Sequence, residues 1–321
     1  MRKKLSLLAC AALVSGGIAS WAQASPYATE LVYASPTLIG SHSFNDPSAV
    51  LGAPATDIKV WGETYTSRVN SVVSPPFGVG VNNEKLVTTL ERDQIIVVGF
   101  DHPIENDPRN PHGYDFLVFD NSWYAGSASV VSDATDMNTY MLPGSGGVFD
   151  MGRVLVKGGE GDGGVLVSVS QGPQYEGQDP LEWTWYSFDN GPYGGGPYPT
   201  NSYLWDAENA RWTDTLSDFT RPVDPDVFGA LLGQTDVTAA DVIAAYQGSG
   251  GGTGFDLDDL YDLHGVQLDW IQYIKVEGTD LHHNGRIDAF SDVAPVPVPG
   301  AIWLVGAGVI ALSGLGRRRA A

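Results

Sequence analysis

Side chains with oxygen ligands border the predicted strands of this sequence and are its best candidates for chemistry. Calcium takes about six to eight oxygen ligands, which carboxylates, Asn amides and loop carbonyls supply. An unpaired carboxylate beside apolar neighbours is costly unless a cation or hydrogen bonds compensate for its burial. We therefore predict a calcium site, with ligands drawn from Asp115, Asp120, Asn121, Asp256 and Asp288. The alternative is that these residues, with Asp258 and Asp259, are turn and cap residues on a solvated acidic surface.

Familiar metal and catalytic motifs do not occur in the sequence. Asp256-Leu257-Asp258-Asp259 lacks the glycine and the distant glutamate of an EF-hand loop. The run His282-His283-Asn284-Gly285 is predicted to be a hairpin turn with two exposed histidines rather than a metal site. There is no H-E-x-x-H and no G-x-S-x-G. We expect no enzymatic activity, because no spacing singles out a pair of carboxylates for hydrolysis. A secreted hydrolase that uses two of the 38 acidic residues is kept as an alternative.

Aromatic residues are concentrated around a glycine-rich stretch, Asp189–Ser202. Sugar rings stack on such side chains, so a calcium-dependent carbohydrate-binding module is the second functional hypothesis. The competing interpretation, which we favour, places these rings in the core. The residues concerned are Trp183, Trp185, Tyr186, Tyr193, Tyr198, Tyr203 and Trp205.

The elements expected to position these residues are mostly strands. Short runs of β-branched and aromatic residues are separated by Gly, Pro, Asn and Asp clusters, which favours an all-β, antiparallel β-sandwich. The predicted strands cover Ile58–Tyr65, Gln94–Phe100, Asp115–Phe119, Gly152–Val156, Val165–Ser170, Trp183–Phe188 and Trp270–Val276. Two short helices interrupt them. Pro225–Leu232 follows the N-cap Asp224, and Ala239–Gln247 has Thr238 and Asp241 as a capping box.

Charge and cysteine content narrow the class of protein. The body from residue 25 to residue 293 keeps all 38 acidic residues but only 11 of the 17 basic ones, a formal net charge of −27. Such a surface repels nucleic acid, so we expect no nucleic-acid partner. The hydrophobic share of 43% argues for a packed domain rather than disorder. The one cysteine, Cys10, lies outside this body, which therefore has no disulfide.

The first 24 residues have the three parts of a secretory signal peptide. Arg2, Lys3 and Lys4 form the basic region, Leu5 to Ile18 the apolar region, and Ala22-Gln23-Ala24 the small-residue cleavage site before Ser25. The sequence therefore predicts export through the Sec translocase. The alternative is an ordinary buried helix.

The C-terminal segment, residues 294–321, reads as a sorting tail. Val296-Pro297-Val298-Pro299 forms an extended spacer. Ala301 to Leu315 is an uncharged run of 15 residues, near the lower limit for crossing a hydrocarbon core of roughly 30 Å. Arg317, Arg318 and Arg319 then predict a cytoplasmic end, with the acidic body on the other side of the membrane. A buried C-terminal helix is the alternative.

This order of proline motif, short span and arginine cluster resembles the PEP-CTERM protein-sorting domain of Gram-negative bacteria. Val298 stands where the family pattern has an acidic residue. The resemblance implies an exosortase-type sorting enzyme as a partner. It also implies a transient membrane anchor and a mature end near Pro299, with the protein on the cell surface or in an exopolysaccharide matrix.

The body has a broader resemblance, over roughly residues 95–293. Gly113-Tyr114-Asp115-Phe116-Leu117-Val118-Phe119-Asp120-Asn121 is similar to a strand of uncharacterised exported bacterial cell-surface proteins. Segments starting at Asp218, Gly251, Leu268 and Arg286 fit the same family. The resemblance implies a jelly-roll-like sandwich. We expect one extracellular domain over residues 25–293 with a structural or interaction role.

Overall fold

The computed structural model describes residues 24–38, 44–60, 65–69, 86–127, 130–131, 140–141, 148–149, 155–161, 164–194, 198–209, 211–232, 234–279 and 285–293. The predicted signal peptide, apart from Ala24, and the predicted sorting tail lie outside these residues.

Strands dominate the described part of the chain. In chain order they are β1 (Glu30–Ala34), β2 (Asp57–Val60), β3 (Tyr65–Arg68), β4 (Thr88–Leu90), β5 (Ile95–Glu105), β6 (Phe116–Asp120), β7 (Ser122–Ser127), β8 (Val130–Val131), β9 (Tyr140–Met141), β10 (Val148–Phe149), β11 (Leu155–Gly161), β12 (Val165–Ser170), β13 (Tyr186–Ser187), β14 (Tyr203–Asp206), β15 (Arg211–Leu216), β16 (Thr253–Phe255), β17 (Trp270–Gly278) and β18 (Gly285–Asp292). The helices are α1 (Pro225–Leu232), α2 (Ala239–Ala245) and α3 (Asp259–His264), with 3-10 turns at Pro47–Val50, Pro111–Gly113 and Pro180–Glu182.

Two larger sheets carry the central part of the fold. One has the strand order β1-β5-β17-β12-β13, and the other has the order β16-β6-β18-β4. All pairings within them are antiparallel. The smaller sheets are β8-β10-β9, β11-β7, β14-β15 and β2-β3. The prediction of a mostly antiparallel β protein with few short helices is thus confirmed.

The main core draws side chains from both larger sheets. Val98 of β5, Val167 of β12 and Ile274 of β17 lie in the same buried cluster as Phe116 of β6 and Phe290 of β18. Alternate residues of β12 enter it because side chains on a strand alternate between faces. Phe255 of β16 stacks on Phe116, with ring centroids 4.9 Å apart. This core fixes β6 and β18, the two strands that carry the candidate carboxylates.

Helix predictions succeeded where local capping decides the boundary. The helix α1 has the predicted bounds, and the Asp224 carboxylate accepts the N–H groups of Asp226 and Val227. The predicted capping box of α2, Thr238 with Asp241, is present, although the helix ends at Ala245. The helix α3 was not predicted.

Several strand predictions were wrong in detail. Residues 58–65 do not form one strand, because Val60 pairs with Tyr65 and the chain reverses between β2 and β3. The strands β17 and β18 belong to different sheets, so they do not pair as the expected hairpin. The predicted turn residues His282, His283 and Asn284 lie outside the described residues. The strand predicted at 183–188 is reduced to Tyr186–Ser187.

Candidate functional site

Asp115 lies at the start of β6, and its carboxylate is held by three N–H donors. Its Oδ1 accepts the main-chain N–H of Asp107 at 3.2 Å and the Nδ2 of Asn110 at 3.0 Å. Its Oδ2 accepts the N–H of Leu257 at 2.9 Å. Burial outweighs these hydrogen bonds and raises the pKa of Asp115 to about 6. Asp115 therefore joins the segment before β6 to the segment after β16, and it does so as a buried carboxyl group.

Asp256 is on the same side of the fold as Asp115. Burial raises the pKa of Asp256, and the nearby carboxylates of Asp259 and Asp258 raise it further. The charge of Asp256 in turn adds to the raised pKa of Asp115. The Asp256 carboxylate approaches the backbone of Gly113, which has φ +79°. These two predicted ligands form one group, at the beginning of β6.

Asp120, Asn121 and Asp288 form a second group, at the other end of β6. Asp120 pairs across the sheet with Ile287, and the register shifts at the next residue, Asp288. Such a bulge re-aims the side chain on a strand. Asp288 is 2% exposed, and both its carboxylate oxygens accept the single N–H of Ala55, at 3.1 and 3.0 Å. The bulge thus brings a second buried carboxyl group close to Asp120.

The electrostatics of this second group follow from its burial. Burial raises the pKa of Asp288 well above its ordinary value, and the charge of Asp120 raises it again, against the hydrogen bond from Ala55. Asp120 accepts the N–H of Ser122 at 2.7 Å. Burial and the neighbouring charge of Asp120 thus favour a protonated Asp288, or a bound cation, over a free carboxylate at this position.

The structure separates the five predicted calcium ligands into these two groups. The strand β6 between Asp115 and Asp120 rises about 3.3 Å per residue, so their backbones are roughly 16 Å apart and one ion cannot reach both. Within the described ranges, no group of three or more His, Cys, Asp or Glu side chains is arranged to hold a metal ion. The calcium site stays a prediction, and the larger of the two groups of its predicted ligands consists of Asp120, Asn121 and Asp288.

A third cluster of titratable groups was not predicted from the sequence. In the structure His102, on β5, lies between two carboxylates. Its Nδ1 is 2.8 Å from Asp101 Oδ1, and its Nε2 is 2.9 Å from Asp292 Oδ2. Asp292 is 190 residues away in the sequence, so no spacing rule could have paired it with His102.

The charges in this cluster are coupled. Partial burial lowers the pKa of His102, but the hydrogen bonds to Asp101 and Asp292 outweigh it, so that the pKa lies above its ordinary value. The hydrogen bond from His102 chiefly lowers the pKa of Asp101, with help from the N–H of Ser25. Burial raises the pKa of Asp292, while His102 opposes that change. The imidazolium form of His102 is therefore favoured between two carboxylates.

The two ends of the described domain meet beside this cluster. The N–H of Asp292 donates to the carbonyl of Pro26 at 2.8 Å, and Tyr27 forms a β-bridge with Ser291. Ser25 N lies 3.2 Å from Asp101 Oδ2. Val293 is buried, and its N–H donates to the carbonyl of Asp115 at 2.9 Å. Both ends are thus bound into the fold and next to each other.

Most of the aromatic residues considered for sugar binding pack internally. Trp183 is 8% exposed and packs edge-on against Tyr273, with ring centroids 4.6 Å apart. The indole N–H groups of Trp183 and Trp185 donate to the carbonyls of Gln178 and Pro180. These bonds hold both rings against their own loop, so the observed strand is shorter than the predicted one.

Three of the remaining aromatic side chains are divided between two other buried clusters. Tyr203 and Trp205 pack against the cluster around Trp212, and Tyr198 packs against the cluster around Tyr246. The stretch therefore does not form one continuous aromatic face.

Comparison with known proteins adds no assignment, because the chain matches no known protein family and no curated protein. Among the residues that the structure describes, none belongs to a helix long and apolar enough to cross a membrane. The predicted cleavage site at Ala22 and Ala24 and the predicted tail from residue 294 onward fall mainly outside those residues.

Proposed function

We propose that this chain is an exported, non-enzymatic domain of a Gram-negative envelope. It is delivered by its signal peptide and sorted by its C-terminal tail to the cell surface or the exopolysaccharide matrix, where it has a structural or interaction role. The domain is a jelly-roll-like β-sandwich in this proposal. The core shared by the two larger sheets supports that architecture.

The observation that carries the proposal is the position of the two ends of the described domain. Pro26 follows the predicted cleavage site by two residues, and Asp292 precedes the predicted tail by two residues. Their main chains are joined by a 2.8 Å hydrogen bond. The two predicted membrane segments are therefore attached to the same end of the domain.

This arrangement suits a domain that is tethered at both ends to one bilayer during export. A signal peptide and a sorting tail that left from opposite ends would have to reach the same membrane across the width of the folded domain. Attached side by side, they allow the domain to fold on the far side of the membrane while both segments are still inserted. The arginines of the tail would then hold its end in the cytoplasm.

The proposal is tested by locating the full chain in a Gram-negative host that has an exosortase-type enzyme. Protease added to intact cells should digest the body, or the body should be recovered from the matrix. A control chain lacking residues 2–24 should stay in the cytoplasm and resist the protease. Replacement of Arg317, Arg318 and Arg319 by Gln should impair retention or sorting of the tail. A full-length chain found free in the cytosol would contradict the proposal.

A further inference from the structure

We propose that removal of the signal peptide turns the Ser25 nitrogen into an ammonium group that completes a charge network with Asp101, His102 and Asp292. Processing would then lock the new N-terminus against the last strand of the domain, beside the sorting tail. This inference rests on the proposed export and on cleavage between Ala24 and Ser25.

The position of Ser25 provides the first support. Its main-chain nitrogen is already 3.2 Å from Asp101 Oδ2, and its hydroxyl accepts the N–H of Tyr27 at 3.2 Å. The following residues are held by two bonds: the Asp292 N–H donates to the carbonyl of Pro26, and the Ala28 N–H donates to the carbonyl of Phe290. The nitrogen that cleavage would release is thus fixed in place by the fold, whereas Ala24, on the other side of the bond, is exposed.

The chemistry of cleavage supplies the charge. Water adds across the Ala24–Ser25 amide, so that Ala24 leaves with a carboxylate and Ser25 keeps an amine, which takes a proton at neutral pH. The amide N–H is a single neutral donor, and the ammonium has three donors and a positive charge. An α-amino group has an ordinary pKa of about 7.7–8.0.

The charges that face this nitrogen make it a favourable site for a cation. Asp101 lies between Ser25 and His102, and His102 lies between Asp101 and Asp292. Glu105, farther along β5, adds negative charge near Asp292. With His102 protonated, two carboxylates face one imidazolium before cleavage. The ammonium of Ser25 balances the second carboxylate afterwards.

The same contacts give the network a mechanical consequence. The segment from Pro26 to Ala28, which directly follows Ser25, pairs with the end of β18, and β18 leads into the predicted tail. A stronger interaction between the Ser25 ammonium and Asp101 stabilises that pairing. Cleavage of the leader would therefore strengthen the end of the domain from which the tail departs, before the tail is processed.

The test is the pKa of the Ser25 amine in the processed protein, isolated from the envelope of the exporting host. Mass spectrometry first establishes whether the chain begins at Ser25. The amines are then labelled by reductive ¹³C-methylation, which keeps their charge, and the α-amine signal is titrated by NMR. We expect its pKa to be raised by about half a unit, the size of a partly exposed ion pair. Asp101→Asn should remove the rise, and Asp189→Asn, an exposed carboxylate elsewhere, should leave it.

The outcomes separate this inference from the proposed export. If the chain begins at Ser25 but its amine titrates at the ordinary value, or equally in wild type and Asp101→Asn, the network is overturned and export stands. If the exported chain begins at another residue, the inference and the predicted cleavage site both fall. A raised value that only Asp101→Asn abolishes supports the network.

Discussion

The main-chain N–H of Asp292 donates a 2.8 Å hydrogen bond to the carbonyl of Pro26, joining the last strand to the first residues of the domain. Around this bond, Tyr27 packs against the buried cluster that contains Val293. The carboxylate of Asp292 forms a hydrogen bond with Nε2 of His102. The two predicted processing segments are therefore connected to one structural feature of the domain. A substitution at one end of the domain should therefore also affect the stability of the other end.

His102 should make this end of the domain sensitive to pH. Its pKa is raised in the folded state, so the imidazolium stabilises the fold fully below the unfolded pKa of about 6.5, and this stabilisation is lost as pH rises through the folded pKa. His102→Gln should therefore lower the unfolding midpoint by about 1–3 °C at pH 5.5 and by less at pH 8.

Thermal unfolding followed by circular dichroism at the two pH values measures this difference. The exposed neutral substitution Thr184→Ala should change the midpoint equally at both. A His102→Gln effect that is independent of pH would show that the imidazole acts only through packing.

Buried carboxyl groups should make the whole domain more stable in mild acid than at neutral pH. Burial raises the pKa values of Asp115, Asp256, Asp259, Asp288 and Asp292. For each of them the folded state binds its proton more tightly than the unfolded state. Stability is therefore greatest below these pKa values and falls as pH rises through them. The large negative charge adds repulsion in the same direction.

Asp115 provides the sharpest test of this pH dependence. Its folded pKa of about 6 corresponds to a loss of up to about 3 kcal/mol in the free energy of unfolding between pH 4 and pH 8. Urea unfolding of Asp115→Asn should show a flatter pH profile than wild type, and Asp189→Asn should show the wild-type profile. Parallel profiles for wild type and Asp115→Asn would refute the assignment.

Gly251 should tolerate alanine far less well than Gly52, although both have nearly the same backbone conformation. Their φ angles are +86° and +87°. A Cβ on Gly251 would collide with the carbonyl of Pro199, whereas a Cβ on Gly52 would meet open space. Gly52→Ala should cost about 1 kcal/mol of strain. Gly251→Ala should cost about 2 kcal/mol more, because backbone must move.

Denaturant unfolding of the two alanine variants measures that difference directly. Equal losses of stability would mean that the segment before β16 adapts, and that the close approach to Pro199 is unimportant.

The calcium prediction now concerns one end of β6. If Asp120, Asn121 and Asp288 hold the ion, about 5 mM calcium, above the range of many extracellular sites, should raise the unfolding midpoint of the wild type. Asp288→Asn should abolish the rise. Asp256→Asn should keep it, because Asp256 lies at the opposite end of β6 with Asp115.

Magnesium at the same concentration controls for ionic strength, because this smaller ion binds poorly in a site built for calcium. An unchanged midpoint in wild type would refute the calcium site.

Local signals in the sequence predicted local structure well. Asp224 and Thr238 cap α1 and α2 as expected, because a cap depends on residues within one turn. The bounds of β12 are those predicted from its alternating pattern. The rise per residue of a strand also implies that Asp115 and Asp120 are too far apart to share an ion. The predicted ligands were grouped by residue type, which does not take this distance into account.

Features that depend on distant parts of the chain could not be predicted in this way. The contact of His102 with Asp292 spans 190 residues. Asn284-Gly285 is a strong hairpin signal, yet β17 and β18 belong to different sheets, whose side chains meet in the same buried cluster. The bulge at Asp288 places the second carboxyl group near Asp120. No glycine at this position indicates the bulge in the sequence.

The most direct test of the account is the intact mass of the protein recovered from each compartment of an exporting host. Export and cleavage as proposed predict an envelope or matrix species that begins at Ser25 and has lost the signal peptide. A chain that still begins at Met1 and is found only in the cytosol would contradict it.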